Sequence, residues 1–214
     1  MRKYIRSQCV AAVASIRNDG VKAFINKIIY LHRAVYIIVK DLGEVDDHTD
    51  LLRRLNLVIM EINTSTFQDI KSRFYLKARA VRASYYLDRG YDGYALIKDQ
   101  RVIGDTWYVD PYKSNISSHI DLKWLGIQLP EGSVYNFDIF VMPSARGKNA
   151  SSLFQGNVLY ALRMKNYTKV YGYVFADNIP GMWNAVAVNG FKKARLLEVR
   201  RLVWHKGVVS KSQG

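Results

Sequence analysis

Residues 134–166, VYNFDIFVMPSARGKNASSLFQGNVLYALRMKN, limit what this chain can fold into more than any other stretch. The first nine are rich in β-branched and aromatic side chains and have the length of a strand, which Pro143 stops. After a small polar turn, Ala150, Leu153, Phe154, Val158, Ala161 and Leu162 recur by threes and fours, the spacing of an amphipathic helix. A strand, a tight loop and a helix in that order bring backbone amides to the positive end of a helix dipole. With Arg146 and Lys148 beside them, these amides suit a phosphate or pyrophosphate. An ordinary strand-to-helix corner with solvated Arg and Lys fits the same residues.

The rest of the chain surrounds this unit with strands and helices. A basic helical stretch over 7–31, broken at Asp19-Gly20, precedes a first strand at 34–42. Such a stretch packs on the main domain or lies on an anionic membrane surface. Asp46, Asp47 and Asp50 supply loop and cap chemistry before a helix carrying Leu51, Leu52, Leu55, Val58, Ile59 and Ile62. A second helix starts at Thr64-Ser65-Thr66, with Asp69 completing a capping box, and runs through Phe67, Ile70, Phe74, Ala78, Val81 and Tyr85. Its other face, Lys71, Arg73, Lys77, Arg79 and Arg82, is expected to be solvated or to attract an acidic carrier domain. A hairpin follows, 94–97 and 102–109, around a turn at 98–101. After the central unit come a strand at 168–176, a break at Asn178-Ile179-Pro180, a short helix over 182–188 stopped by Gly190, and a final hairpin of 192–199 with 202–206.

A chain of 214 residues, 49% of them hydrophobic and without a low-complexity tract, should fold throughout. Its net charge of +14 calls for an anionic partner: a phosphate-bearing cofactor, an acidic carrier protein, anionic lipid or nucleic acid. No motif of interleaved basic and aromatic residues supports nucleic acid, which is not expected. One cysteine, Cys9, excludes an internal disulfide and suits a reducing compartment. His32, His48, His119 and His205 are scattered without paired Cys or carboxylates, so no metal site is expected. The basic start of the chain is interrupted by Arg17, Asn18 and Asp19, and the apolar window at 24–39 carries Asn26, Lys27, His32 and Arg33. Neither a secretory signal nor a membrane span is expected, and a cytoplasmic location is the default.

Val141-Met142-Pro143-x-x-Arg146-Gly147-Lys148 resembles the acyl-CoA pyrophosphate loop of the GNAT acyltransferase superfamily, where a strand ending Val-x-Pro continues Arg-Gly-Lys-Gly-x-Gly. Asn149 and Ser151 stand where that pattern has glycines, and Asn178 and Gly190-Phe191 match later features; the likeness covers roughly residues 34–206. It implies an α/β (α+β) fold with a mixed, mostly antiparallel central sheet flanked by helices, as a domain at 34–214 behind an N-terminal helical extension at 1–33. It also implies direct transfer of an acyl group from acetyl-CoA, or another acyl-CoA, to a primary amine. In such a site two parallel strands splay apart and the pantetheine arm fills the gap. Backbone at Ile139 and Val141 would receive that arm, amides at Arg146, Gly147, Lys148, Asn149, Ala150 and Ser151 would hold the pyrophosphate, and Asn178 would sit near the thioester. Asp138, an acid within an apolar strand, is the first candidate for the base and Tyr135 the second. The family's tyrosine before Gly-Phe is replaced by Val186, Ala187 and Val188, and Trp107 and Tyr108 are candidates for lining the acceptor cleft. An acyl-carrier protein or a long acyl chain as donor, and a non-catalytic basic module of the same fold, are the alternatives.

Overall fold

The computed structural model describes residues 30–146, 149–202 and 205–211. The helical extension expected at 7–31 lies outside these residues except for its end, where Tyr30 and Leu31 already belong to the first strand. Strands β1 (Tyr30–Asp41), β2 (Leu57–Ile62), β3 (Asp92–Lys98), β4 (Arg101–Val109), β5 (Ser133–Val141), β6 (Lys169–Phe175), β7 (Lys192–Leu202) and β8 (His205–Lys211) form one sheet in the order β2-β3-β4-β5-β6-β1-β7-β8. Neighbours are antiparallel except β5 and β6, which are parallel. The helices are α1 (Thr49–Arg54), α2 (Thr64–Ile70), α3 (Lys77–Leu87), α4 (Ile120–Leu125), α5 (Ala150–Met164) and α6 (Ile179–Met182), the last running on as a π-helical turn, Trp183–Val188. None is long and apolar enough to cross a membrane.

Strand alternation gives the sheet a core on each face. Along β3, Ala95 and Ile97 join Phe67, Ile70, Ala83 and Leu122 beneath α2, α3 and α4, while Tyr94 and Leu96 join Leu52, Phe154 and Leu159 beneath α1 and α5. The hairpin between β3 and β4 turns through Asp99 and Gln100, both at positive φ, which matches the twist of the paired strands.

Two expected helices are corrected. The helix beginning at Thr49 ends at Arg54, because Asn56 takes a left-handed φ of 55°, and the apolar residues after it form β2. Their spacing fitted a helix, but Val58, Ile59 and Ile62 are β-branched and suit an edge strand. The long helix expected from Thr64 to Tyr85 is broken at Phe74, where the backbone is extended; Tyr75 N–H donates to the Val102 carbonyl at 3.1 Å and the Phe74 ring enters the core. Its cap is Asn63 rather than Thr66: Asn63 Oδ1 accepts from the amides of Ser65 and Thr66, and Thr66 Oγ1 accepts from the Asn63 amide.

One irregularity positions the site. Trp107 of β4 opposes Phe137 and Asp105 opposes Phe140, so Thr106 alone faces Asp138 and Ile139. This is a β-bulge with Asp138 at a φ of 51°. Side chains change face across it: Tyr135 and Phe137 lie beneath α3, whereas Val141, which strict alternation would place with them, lies with Phe154 beneath α5.

Trp107 is fully buried against β3 where Gly93 allows it: a Cβ at Gly93 would come within 2.6 Å of the Thr106 carbonyl oxygen and 3.0 Å of the Trp107 ring. Gly93→Ala is therefore expected to cost about 1–3 kcal/mol of stability, read as a lower urea midpoint at unchanged m-value.

Candidate active site

Beyond Tyr135 the sheet opens. The parallel ladder holds Ser133 to Lys169, Val134 to Val170 and Tyr135 to Tyr171, and there it stops. β5 stays on β4 through Val141 and β6 stays on β1 through Phe175, so the facing edges of β5 and β6 part without pairing to each other. Gly172 sits at the fork, where a Cβ would lie 3.2 Å from the Asn136 carbonyl oxygen. The gap widens into a cleft of about 960 Å³. Its lining comes from both faces of the sheet: Tyr85, Tyr86, His119, Asp121 and Trp124 on the α3/α4 side, Ser151, Ser152, Gln155, Asn178 and Asn184 on the α5/α6 side.

The α5/α6 side suits an anion at its mouth. α5 has 15 residues, no acidic residue in its first turn, and no side-chain cap among the described residues; Asn149 enters it at a φ of 62°. The amides of that first turn therefore lack in-helix acceptors, and Ser151 and Ser152 line the cleft beside them. Ala150 is buried against α5's own core, Asn149 is exposed, and Gly147 and Lys148 lie outside the described residues. Arg146 lines the cleft and its Nε donates to the Val141 carbonyl at 2.9 Å. Ile139 and Val141 both line the cleft, Ile139 with 43% of its surface exposed. Asn178 Oδ1 accepts from the Gly181 amide at 3.2 Å, capping α6 at the cleft wall.

On the other side, Arg79 organises a buried ionic group. Its Nε and Nη2 grip Asp105 at 2.9 and 2.5 Å, and Nη1 donates to both oxygens of Asp138 at 3.0 and 3.1 Å. Trp107 Nε1 completes the shell of Asp105 at 2.8 Å, and Tyr86 donates its hydroxyl to Asp138 at 2.9 Å, with Arg82 at 3.4 Å. Burial opposes ionisation of both Arg79 and Asp138, yet the opposite charges outweigh it: Arg79 is held more firmly protonated and the Asp138 carboxyl is held below the usual range. Burial, then the Asp138 charge, push the Tyr86 hydroxyl well up.

These contacts correct two expectations and bear on a third. Asp138 lines the cleft, and its oxygens are held by guanidinium and phenol donors that keep its carboxyl below the usual range. Arg79, placed with the solvated stripe, is 7% exposed. Trp107 and Tyr108 are buried in opposite cores and do not line the cleft. Tyr135 is also fully buried, and burial raises its hydroxyl's pKa; it donates to Asp121, which does line the cleft, at 3.4 Å.

The sequence reading does not single out Asp105, Tyr86, Gln155 or Asn184. Asp105 lies within the apolar run of β4 as Asp138 does in β5, so the same signal was present; the others needed a partner from a distant segment.

A carboxyl with a lowered pKa adds stability that is complete above its unfolded value and lost as pH falls through the folded one. The stability difference between wild type and Asp138→Asn, from urea unfolding, should hold constant above about pH 5 and shrink as pH drops below Asp138's ordinary value of 3.8.

No family model and no curated protein matches the sequence. Solved structures do resemble the fold. A GCN5-related glucosamine N-acetyltransferase region of a fungal multi-domain β-N-acetylglucosaminidase superposes with a TM-score of 0.56 over 86% of this chain and 23% of its own, at 17% identity. A Drosophila protein does so with a TM-score of 0.51 over 88% of this chain and 58% of its own, at 11% identity. The chain thus spans little more than half of one and under a quarter of the other. With the expected sheet in place and its parallel pair parted, the chain has the fold of the GNAT acyltransferase superfamily.

Proposed function

We propose that the protein is an N-acyltransferase that moves an acyl group, acetyl first, from CoA to a primary amine. The observation that carries this reading is the cleft between the parted strands, with an uncapped helix N-terminus at one mouth and ionisable groups at the other. The first-turn amides of α5, the Ser151 and Ser152 hydroxyls and Arg146 take the diphosphate. The open edge of β5 at Ile139 takes the pantetheine arm, and Arg146 on the Val141 carbonyl closes that edge.

The chemistry asks little covalent help of the chain. The neutral amine nitrogen attacks the thioester carbonyl, the C–S bond breaks, the N–acyl bond forms, and the proton lost by nitrogen leaves for a base while the thiolate takes one from solvent. Asp121 replaces Asp138 as the proton acceptor: it lines the cleft opposite α5 and is oriented by the Tyr135 hydroxyl. Arg79 and Arg82 keep Asp138 as a fixed anion that orients Tyr86. The half-buried rings of Tyr85, Trp124 and Tyr173 offer faces for the acceptor. The glucosamine named for the fungal structure makes an amino sugar the first acceptor to try. The net charge of +14 also favours an acyl-carrier protein as donor, in which case donor affinity drops steeply with salt.

Isothermal titration with acetyl-CoA and with a long-chain acyl-CoA tests the donor site. Binding should weaken roughly tenfold in Arg146→Ala; failure of both thioesters to bind the wild type ends the reading. Release of free thiol in the presence of glucosamine or another primary amine reports turnover. Asp121→Asn should lower kcat about a hundredfold with KM for acetyl-CoA nearly unchanged, and an unaltered kcat would remove Asp121 from the reaction.

A further inference from the structure

Gln155 lies within α5, is 5% exposed and lines the cleft. Two asparagines at the π-helical turn fix which way its amide points. Asn189 Nδ2 is 2.9 Å from the Asn184 backbone carbonyl oxygen, an atom that only accepts, so the nitrogen of Asn189 must be on that side. The same nitrogen is 3.2 Å from the Asn184 side-chain oxygen, which leaves the Asn184 nitrogen to donate to Gln155 Oε1 at 2.7 Å. The Gln155 carbonyl is used by that bond. Its NH₂ group, with no hydrogen-bond partner among the described residues, is turned toward the cleft.

We infer that Gln155 is the side-chain donor that grips the pantetheine arm of the acyl donor, its N–H groups taking an amide carbonyl of that arm. The inference rests on the acyltransferase reading. Gln155 follows Ser151 by one turn, about 6 Å along the helix axis from the amides that take the diphosphate. At that depth the donor presents the amides of its arm, not its phosphates. The NH₂ is reached from the cleft rather than sealed in the core, so an amide carbonyl entering the cleft can accept from it. A side-chain amide does not give up its proton near neutral pH, so Gln155 holds the donor and takes no part in reprotonating sulfur. The arm is common to CoA and acyl-carrier protein, so the grip serves either.

Two variants of the full chain test this, assayed with acetyl-CoA and with acetyl-pantetheine, which keeps the arm and lacks the diphosphate and nucleotide. Gln155→Glu replaces the donor with an acceptor of the same shape. Asn184→Asp leaves Gln155 in place but turns it over: the new carboxylate only accepts, so Gln155 donates to it and shows its oxygen to the cleft, while Asn189 keeps its bonds. Each variant should raise KM for both thioesters about tenfold and leave kcat within about twofold, with the Kd for acetyl-CoA rising in step. A wild-type KM in Asn184→Asp overturns the assignment, as does a loss seen with acetyl-CoA but not with acetyl-pantetheine. A wild type that binds neither thioester takes down the acyltransferase reading and this assignment together; unchanged variants beside a binding wild type take down this assignment alone.

Discussion

The geometry of the cleft depends on one buried guanidinium. Arg79 reaches from α3 through the core to Asp105 on β4 and Asp138 on β5, and its group also lies 4.9 Å from the Phe140 ring centroid. Three elements far apart in sequence are thereby tied at one point. Asp138 pays for a left-handed backbone by standing where its carboxylate meets Arg79, and the bulge there switches the face on which the side chains of the second half of β5 lie. With Arg79 removed, two carboxylates would be left facing each other in a poorly solvated space, which is far more costly than the loss of an exposed ion pair. The opening between β5 and β6 and the bulge that shapes its wall are therefore supported by the same buried charges.

Much of this architecture could be read from the residues. The strand, Pro143 and the helix after it were legible because they are local: β-branched run, stop, then apolar residues at helical spacing. The failures have a common cause in tertiary contacts. Val58, Ile59 and Ile62 satisfy a helical spacing and a strand equally, and only the pairing of β2 with β3 decides between them. Phe74 fits its helix by period, but the bond from Tyr75 to β4 and the space beside Phe67 pull the chain out of it. Asp138 stands out by the rule that a buried acid has a polar reason, but that reason, Arg79, sits on a segment whose pattern reads as solvated. Gln155 lies in the run Phe154 to Leu159, whose burial hides how unusual its polar members are; the orientation of its amide follows from Asn184 and Asn189, some thirty residues onward.

The two halves of the cleft are chemically unlike. On the α5/α6 side the polar lining is hydroxyl and carboxamide, from Ser151, Ser152, Gln155, Asn178 and Asn184, with the guanidinium of Arg146. On the α3/α4 side stand Tyr85, Tyr86, His119, Asp121 and Asp138. Among the described residues, then, the carboxylates and the imidazole that line the cleft all stand on one face of the sheet. The parted strands let a single opening meet the two ends of a bound molecule with different chemistry, carboxamide and hydroxyl at one, carboxylate, imidazole and phenol at the other.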